Sequence, residues 1–87
     1  MPISWDKTTE EKFHQLIAKI PGVLQAIAKD KISKKAEILA TQNNKSHIGE
    51  KEMVDAFFAE TPFGFHGPMK MDMESLNIDY TKYGHPR

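Results

Sequence analysis

The stretch Ile17-Ala18-Lys19-Ile20-Pro21-Gly22-Val23-Leu24 decides the fold. Proline lacks a backbone N–H, and its ring disfavours helical geometry in the residue before it. A helix that reaches Ile17 must therefore stop by about Ile20. Pro21 is equally well suited to open the next helix, where its missing donor would have had no partner anyway. The stretch thus reads as one helix ending and another beginning almost at once, which is the seam of a helical hairpin.

Towards the amino terminus, Phe13, Leu16, Ile17 and Ile20 recur at spacings of three and four, the signature of a single buried helical stripe. Thr8-Thr9-Glu10-Glu11 has the form of a capping box, in which a threonine hydroxyl accepts from a first-turn N–H and Glu11 reaches back three residues. The first helix is expected over about Thr9 to Lys19. Ile3 and the single tryptophan, Trp5, lie in an arm that can fold back onto the core.

Towards the carboxyl terminus, Val23, Leu24, Ile27 and Ala28 form an expected buried stripe on the second helix. Ile32, Ala36, Leu39 and Ala40 then lie well around the barrel from it, at about 100° per residue. No glycine or proline interrupts the segment, so one long helix is expected, packing on different partners along its length; the alternative is a break near Lys29-Asp30-Lys31. Asn43-Asn44-Lys45-Ser46 is a turn by composition, and Ile48 stands as an isolated apolar residue. Gly49-Glu50-Lys51-Glu52 opens a third helix with acids in its first turn, where the helix dipole favours them. Met53, Val54, Phe57 and Phe58 form its apolar side, and Thr61-Pro62 ends it. The expectation is an all-α, small three-helix domain over residues 1–62 with a long central helix. An irregular carboxyl-terminal extension, residues 63–87, packs on it or is partly disordered. Within the extension, Asp72 to Leu76 has the makings of a turn or two of helix.

Composition excludes several function classes. Eighty-seven residues make at most one domain with a small core. There is no cysteine, hence no disulfide, thiolate metal site or cysteine nucleophile. The amino terminus has neither the basic start nor the apolar core of a signal peptide, and no run approaches the ~18 apolar residues of a membrane span. A cytoplasmic protein without membrane contact is expected. Twelve basic and twelve acidic side chains cancel, which argues against nucleic acid as a partner. No Gly-x-Ser-x-Gly elbow and no glycine-rich phosphate loop is present, so no enzyme activity and no cofactor are expected.

Three clusters remain as candidate sites. Phe58, Phe63 and Phe65, with Phe57, place four aromatics in nine residues, more than the third helix alone can bury. They pack under the extension or form an exposed patch for a protein partner. Met69-x-Met71-x-Met73 with His66 offers soft thioethers and an imidazole. In an extended segment the three sulfurs would share one side and suit a small molecule or a soft metal, although methionines more commonly fill irregular gaps. Lys29, Lys31, Lys34, Lys35 and Lys45 form a basic run, ordinarily a solvated helix face; it is where nucleic acid would bind, if any did. No two of the histidines, His14, His47, His66 and His85, have the i, i+4 spacing of a helical zinc pair. A domain with so small a core is also a candidate homodimer.

Some of these residues resemble a known family. Lys19-Ile20-Pro21, then Ala36-Glu37 with Ala40, then Ile48-Gly49-Glu50-Lys51-Glu52-Met53-Val54-Asp55-Ala56 is similar to the domain at the carboxyl end of the B subunit of light-independent protochlorophyllide reductase. The likeness covers about residues 5–60. It departs after Ile-Pro, where Gly22-Val23-Leu24-Gln25 stands in place of aromatic residues and an arginine. The resemblance implies a helical accessory domain beside a tetrapyrrole enzyme, with a tetrapyrrole as a conceivable ligand. It does not imply reductase chemistry, which needs an iron–sulfur cluster held mainly by cysteine thiolates.

Overall fold

The structure, a computed structural model, describes residues 3–87. It is mostly α-helical. A short strand β1 (Ser4–Trp5) leads into helix α1 (Lys7–Ala18) and the long helix α2 (Gly22–Gln42). Strand β2 (His47–Ile48), helix α3 (Glu50–Glu60) and helix α4 (His66–Ser75) follow. Single 3-10 turns at Phe63–Phe65 and Tyr80–Tyr83 flank α4.

Helix α1 starts two residues before its expected start at Thr9 and does not use the capping box. Asp6 is the N-cap, and no side chain caps the helix. Thr9 points inward and is buried beside Phe13, Leu16 and Ile17. The start is set by tertiary pairing. Ser4 and Trp5 lie parallel to His47 and Ile48, and the Asp6 N–H donates to the Ile48 carbonyl at 3.1 Å. This places Trp5 on Phe13, the rings stacked at 4.6 Å, and Phe13 meets Phe57 edge-on at 5.9 Å.

Helix α2 is continuous, as expected from its lack of breakers, and ends in a Schellman turn. Asn44 takes the left-handed conformation (φ 56°). Its N–H donates to the Thr41 carbonyl at 3.1 Å, and the Lys45 N–H donates to the Ala40 carbonyl at 2.9 Å. Asn77 (φ 61°) closes α4 in the same way, with Ile78 donating to the Met73 carbonyl at 2.9 Å. At both positions a short amide side chain tolerates a backbone that a β-branched residue would not.

The core lies between α1, the second half of α2 and α3. Ala36, Ala40 and Ala56 are fully buried; such small side chains let helix backbones approach closely. The carboxyl-terminal segment is more regular than its composition suggests. Gly67 and Pro68 fall in the first turn of α4, where proline removes no intrahelical bond, and Met69, Met73, Ile78 and Tyr80 join the core. The segment closes over α3: Tyr83 donates to Glu50 at 2.6 Å, His85 pairs with Asp55 at 2.6 Å, and His85 stacks on Phe58 at 4.0 Å.

Burial of Glu50 opposes its ionisation, but hydrogen bonds from Tyr83 and Lys12 outweigh this and hold its carboxyl below the usual carboxylate range. In the unfolded chain the group titrates near 4.5. The stability it contributes is therefore complete above that pH and is lost as pH falls through the lower folded value. Acid titration of wild type and Glu50→Gln, followed by circular dichroism, should show a shallower loss of stability below pH ~4.5 in the variant. Superimposable acid limbs would mean that these bonds contribute no pH-dependent stability.

Candidate functional site: an open apolar groove

Helix α2 has 21 residues and α3 has 11. At about 1.5 Å per residue they are roughly 31 and 16 Å long. When α3 folds back along α2 it therefore runs out halfway, and the first ten residues of α2 extend past it. No residue from Gly22 to Lys31 is buried; Ile32 is the first. The expected buried stripe of Val23, Leu24, Ile27 and Ala28 is thus not core. Ala28 is half-buried, Leu24 and Ile27 are about half exposed, and Val23 is 87% exposed. Periodicity showed that the face is apolar, but the chain has no helix long enough to cover it.

Beside this overhang lies a groove of about 400 Å³. One wall is the end of α1 and the first half of α2: Leu16, Ile20, Pro21, Leu24, Ile27 and Ala28. The other is the α3–α4 connection, with Phe65, Pro68 and Met69, and Phe57 and Ile32 also line it. Leu24, Ile27, Ala28, Lys31 and Ile32 reach it at the i, i+3, i+4, i+7, i+8 spacing of one helical face. Its charges are segregated. Lys19 and Lys31 belong to the α1–α2 wall, Glu60 and Asp72 to the α3–α4 wall. None of the four is in an ion pair among the described residues.

Of the sequence-derived candidates, Phe65 and Met69 line this groove and the others do not. Phe65 lines it and is 64% exposed, and neighbouring Phe63 is 87% exposed. Phe58 is half-buried in an aromatic cluster with His66, Tyr80 and His85. His66 is engaged: its Nε2 lies 2.9 Å from the Thr61 carbonyl, and its ring meets Phe58 edge-on. The methionines do not share a side. The segment is helical, so Met69 and Met73, one turn apart, are buried while Met71 points to solvent. The thioether site drawn for an extended segment is not formed. Among the described residues, no three His, Cys, Asp or Glu side chains are grouped to hold a metal. The lysine run is interrupted by acids, since Lys34 pairs with Asp30 at 3.2 Å and Glu60 borders the same surface. No helix among the described residues is long and apolar enough to cross a membrane.

Sequence reasoning did not single out Leu24, Ile27 or Pro68 as surface residues. The usable signal was the drift of α2's apolar pattern, because two faces on one helix require two coverings and α3 supplies only one.

Fold and groove together define a small, mostly α-helical domain with one apolar face left open. The chain belongs to the DUF2621 family, described as proteins of unknown function, whose profile matches residues 2–86. No curated protein and no solved structure matches it. The match overturns the resemblance to the protochlorophyllide reductase subunit, and the expected link to tetrapyrroles goes with it. The family covers nearly the whole chain, including the segment beyond residue 60 that the resemblance left out. The shared motifs are those a helical hairpin needs in any case. Pro21 is the N-cap of α2, and Ala36 and Ala40 are fully buried in the core.

Proposed function

We propose that the domain is a non-catalytic interaction module whose groove seats an apolar ridge of a protein partner. The exposed apolar face of α2 beside Phe65 is the observation that carries this. Contiguous exposed apolar surface is costly to leave in water and commonly marks an interface. Helical spacing along the α2 wall suits a ridge that also repeats every three to four residues, the helix-in-groove mode of recognition. The volume would admit a small apolar molecule as well. Ligand sites, however, usually carry a few convergent polar groups that orient the ligand, and here, among the described residues, Thr61 is the only uncharged polar side chain in the lining. The contact surface accordingly centres on Leu24, Ile27, Phe65 and neighbouring Phe63. Met69 belongs to the groove lining as well, whereas Phe58, His66, Met71 and Met73 lie outside it.

A photo-cross-linking residue placed at Phe65 in living cells tests this. It should yield a protein adduct that is absent when the residue is placed at the exposed Glu11 on α1 and is lost on Ile27→Asp. Ile27 is exposed, so that substitution should change folding stability by less than ~0.5 kcal/mol. Absence of any adduct at Phe65 would reject the interaction module.

A further inference from the structure

The charges at the groove restrict what can occupy it. Lysines stand on one wall and carboxylates on the other, all four without an ion-pair partner among the described residues. A second copy of this chain can approach the groove face to face about a two-fold axis lying in the contact plane. An axis across the groove would set each wall against its own counterpart, lysine on lysine and carboxylate on carboxylate. An axis along the groove sets the α1–α2 wall of one copy on the α3–α4 wall of the other. Lys19 and Lys31 then face Glu60 and Asp72, twice over, as an isologous contact requires. The apolar parts match in the same arrangement, since the ridge of Leu24 and Ile27 on one copy meets the wall bearing Phe65 on its partner.

We infer that the groove is a self-association surface, in which two copies pair about a two-fold axis along the groove with basic walls facing acidic walls. This rests on the groove being an interaction surface, and it names the partner as the chain itself.

Sedimentation of the purified full chain over a wide concentration range tests the inference. Two charge variants are compared: Lys19→Glu with Lys31→Glu, whose rim is wholly acidic, and Glu60→Lys with Asp72→Lys, whose rim is wholly basic. Wild type should pass from one copy to two as concentration rises, more weakly at high salt. Each variant alone should associate at least about tenfold more weakly, because rim pairs of modest individual strength become repulsions. An equimolar mixture of the two should recover association, which also shows that both variants fold. Wild type that stays monomeric at every concentration would overturn the inference. So would variants that self-associate as tightly as wild type, because the contact would then be elsewhere. A cross-linked adduct at Phe65 to a different protein, with the chain itself monomeric, would overturn self-association and leave the interaction module standing. Flotation of the monomer with phosphatidylcholine vesicles, lost on Phe63→Ser with Phe65→Ser, would assign the face to a lipid surface and overturn both.

Discussion

Replacing Met73 by alanine is expected to cost about 2–5 kcal/mol of folding stability, whereas Met71→Ala should stay within about 0.5 kcal/mol. The two residues are separated by one position and have the same side chain, so the contrast isolates location. Met73 is fully buried, one helical turn from the buried Met69, and its carbonyl accepts from Ile78, which joins the same core. Truncation removes the transfer free energy of the side chain and leaves a cavity between α4 and the rest of the fold. Met71 loses contact with little besides water. A domain of this length should have roughly 4–13 kcal/mol of total stability, so the Met73 variant could forfeit a third or more of it. Urea titration should show a lower midpoint for Met73→Ala with an unchanged slope. Met73→Leu should retain most of the stability, because volume is nearly conserved. If leucine proved as costly as alanine, the sulfur itself would be required and the packing account would fail. Near-equal losses at residues 71 and 73 would contradict the helical placement of the segment.

The methionines also show where the pattern of residues was ambiguous. Met-x-Met-x-Met is one side of a strand or two sides of a helix, and Gly67-Pro68 just before it suggests interrupted structure. Both breakers fall in the first turn of α4, where they cost little, so the helix begins earlier than composition indicates. Ile48 carried no local signal at all. Its burial depends on Ser4 and Trp5, more than forty residues earlier, and that same pairing fixes where α1 begins and leaves the Thr8–Glu11 capping pattern unused. By contrast, the stripe Phe13, Leu16, Ile17 was legible because α1 packs one face on one core. So was the unbroken course of α2, because nothing in its sequence could interrupt it. The candidate site was legible in part. Phe63 and Phe65 stood out as aromatics in excess of what α3 could bury, but the wall opposite them did not. Periodicity identifies an apolar face, and whether another element covers it depends on relative helix lengths. The comparison of 21 residues in α2 with 11 in α3 required the end of α3 and the start of α4 to be placed.

Glu52→Ala is expected to cost about 1.5–3 kcal/mol, because the charge-assisted hydrogen bonds of a buried side chain are lost while their donors, on half-buried Gly49 and exposed Asn43, can turn to water. Glu52 is 1% exposed, a charged residue type in a buried position. Its two oxygens divide the work of closing the α2–α3 hairpin. Oε1 accepts from the Gly49 N–H and Oε2 from the Asn43 side-chain amide, both at 3.0 Å. One bond satisfies an open donor at the start of α3, and the other ties that start to the end of α2. The carboxylate also lies in the first turn of α3, where the helix dipole favours negative charge. Glu52→Gln should cost less, since one amide oxygen can still accept from Gly49, and Asn43 can turn its own oxygen towards the new NH₂ group. A double-mutant cycle with Asn43→Ala separates the bond from general loosening of the turn. Both substitutions remove the same contact, so the double variant should be less destabilised than the sum of the singles, by about 0.5–3 kcal/mol. Strict additivity would show that Asn43 and Glu52 act independently and that the hairpin is closed by packing alone. The hairpin turn is at the far end of α2 from the groove. The folded fraction of Glu52→Ala should therefore self-associate with wild-type affinity, while charge reversal at Lys31 weakens association and leaves stability nearly unchanged. Stability and self-association are thus expected to respond to opposite ends of the same helix.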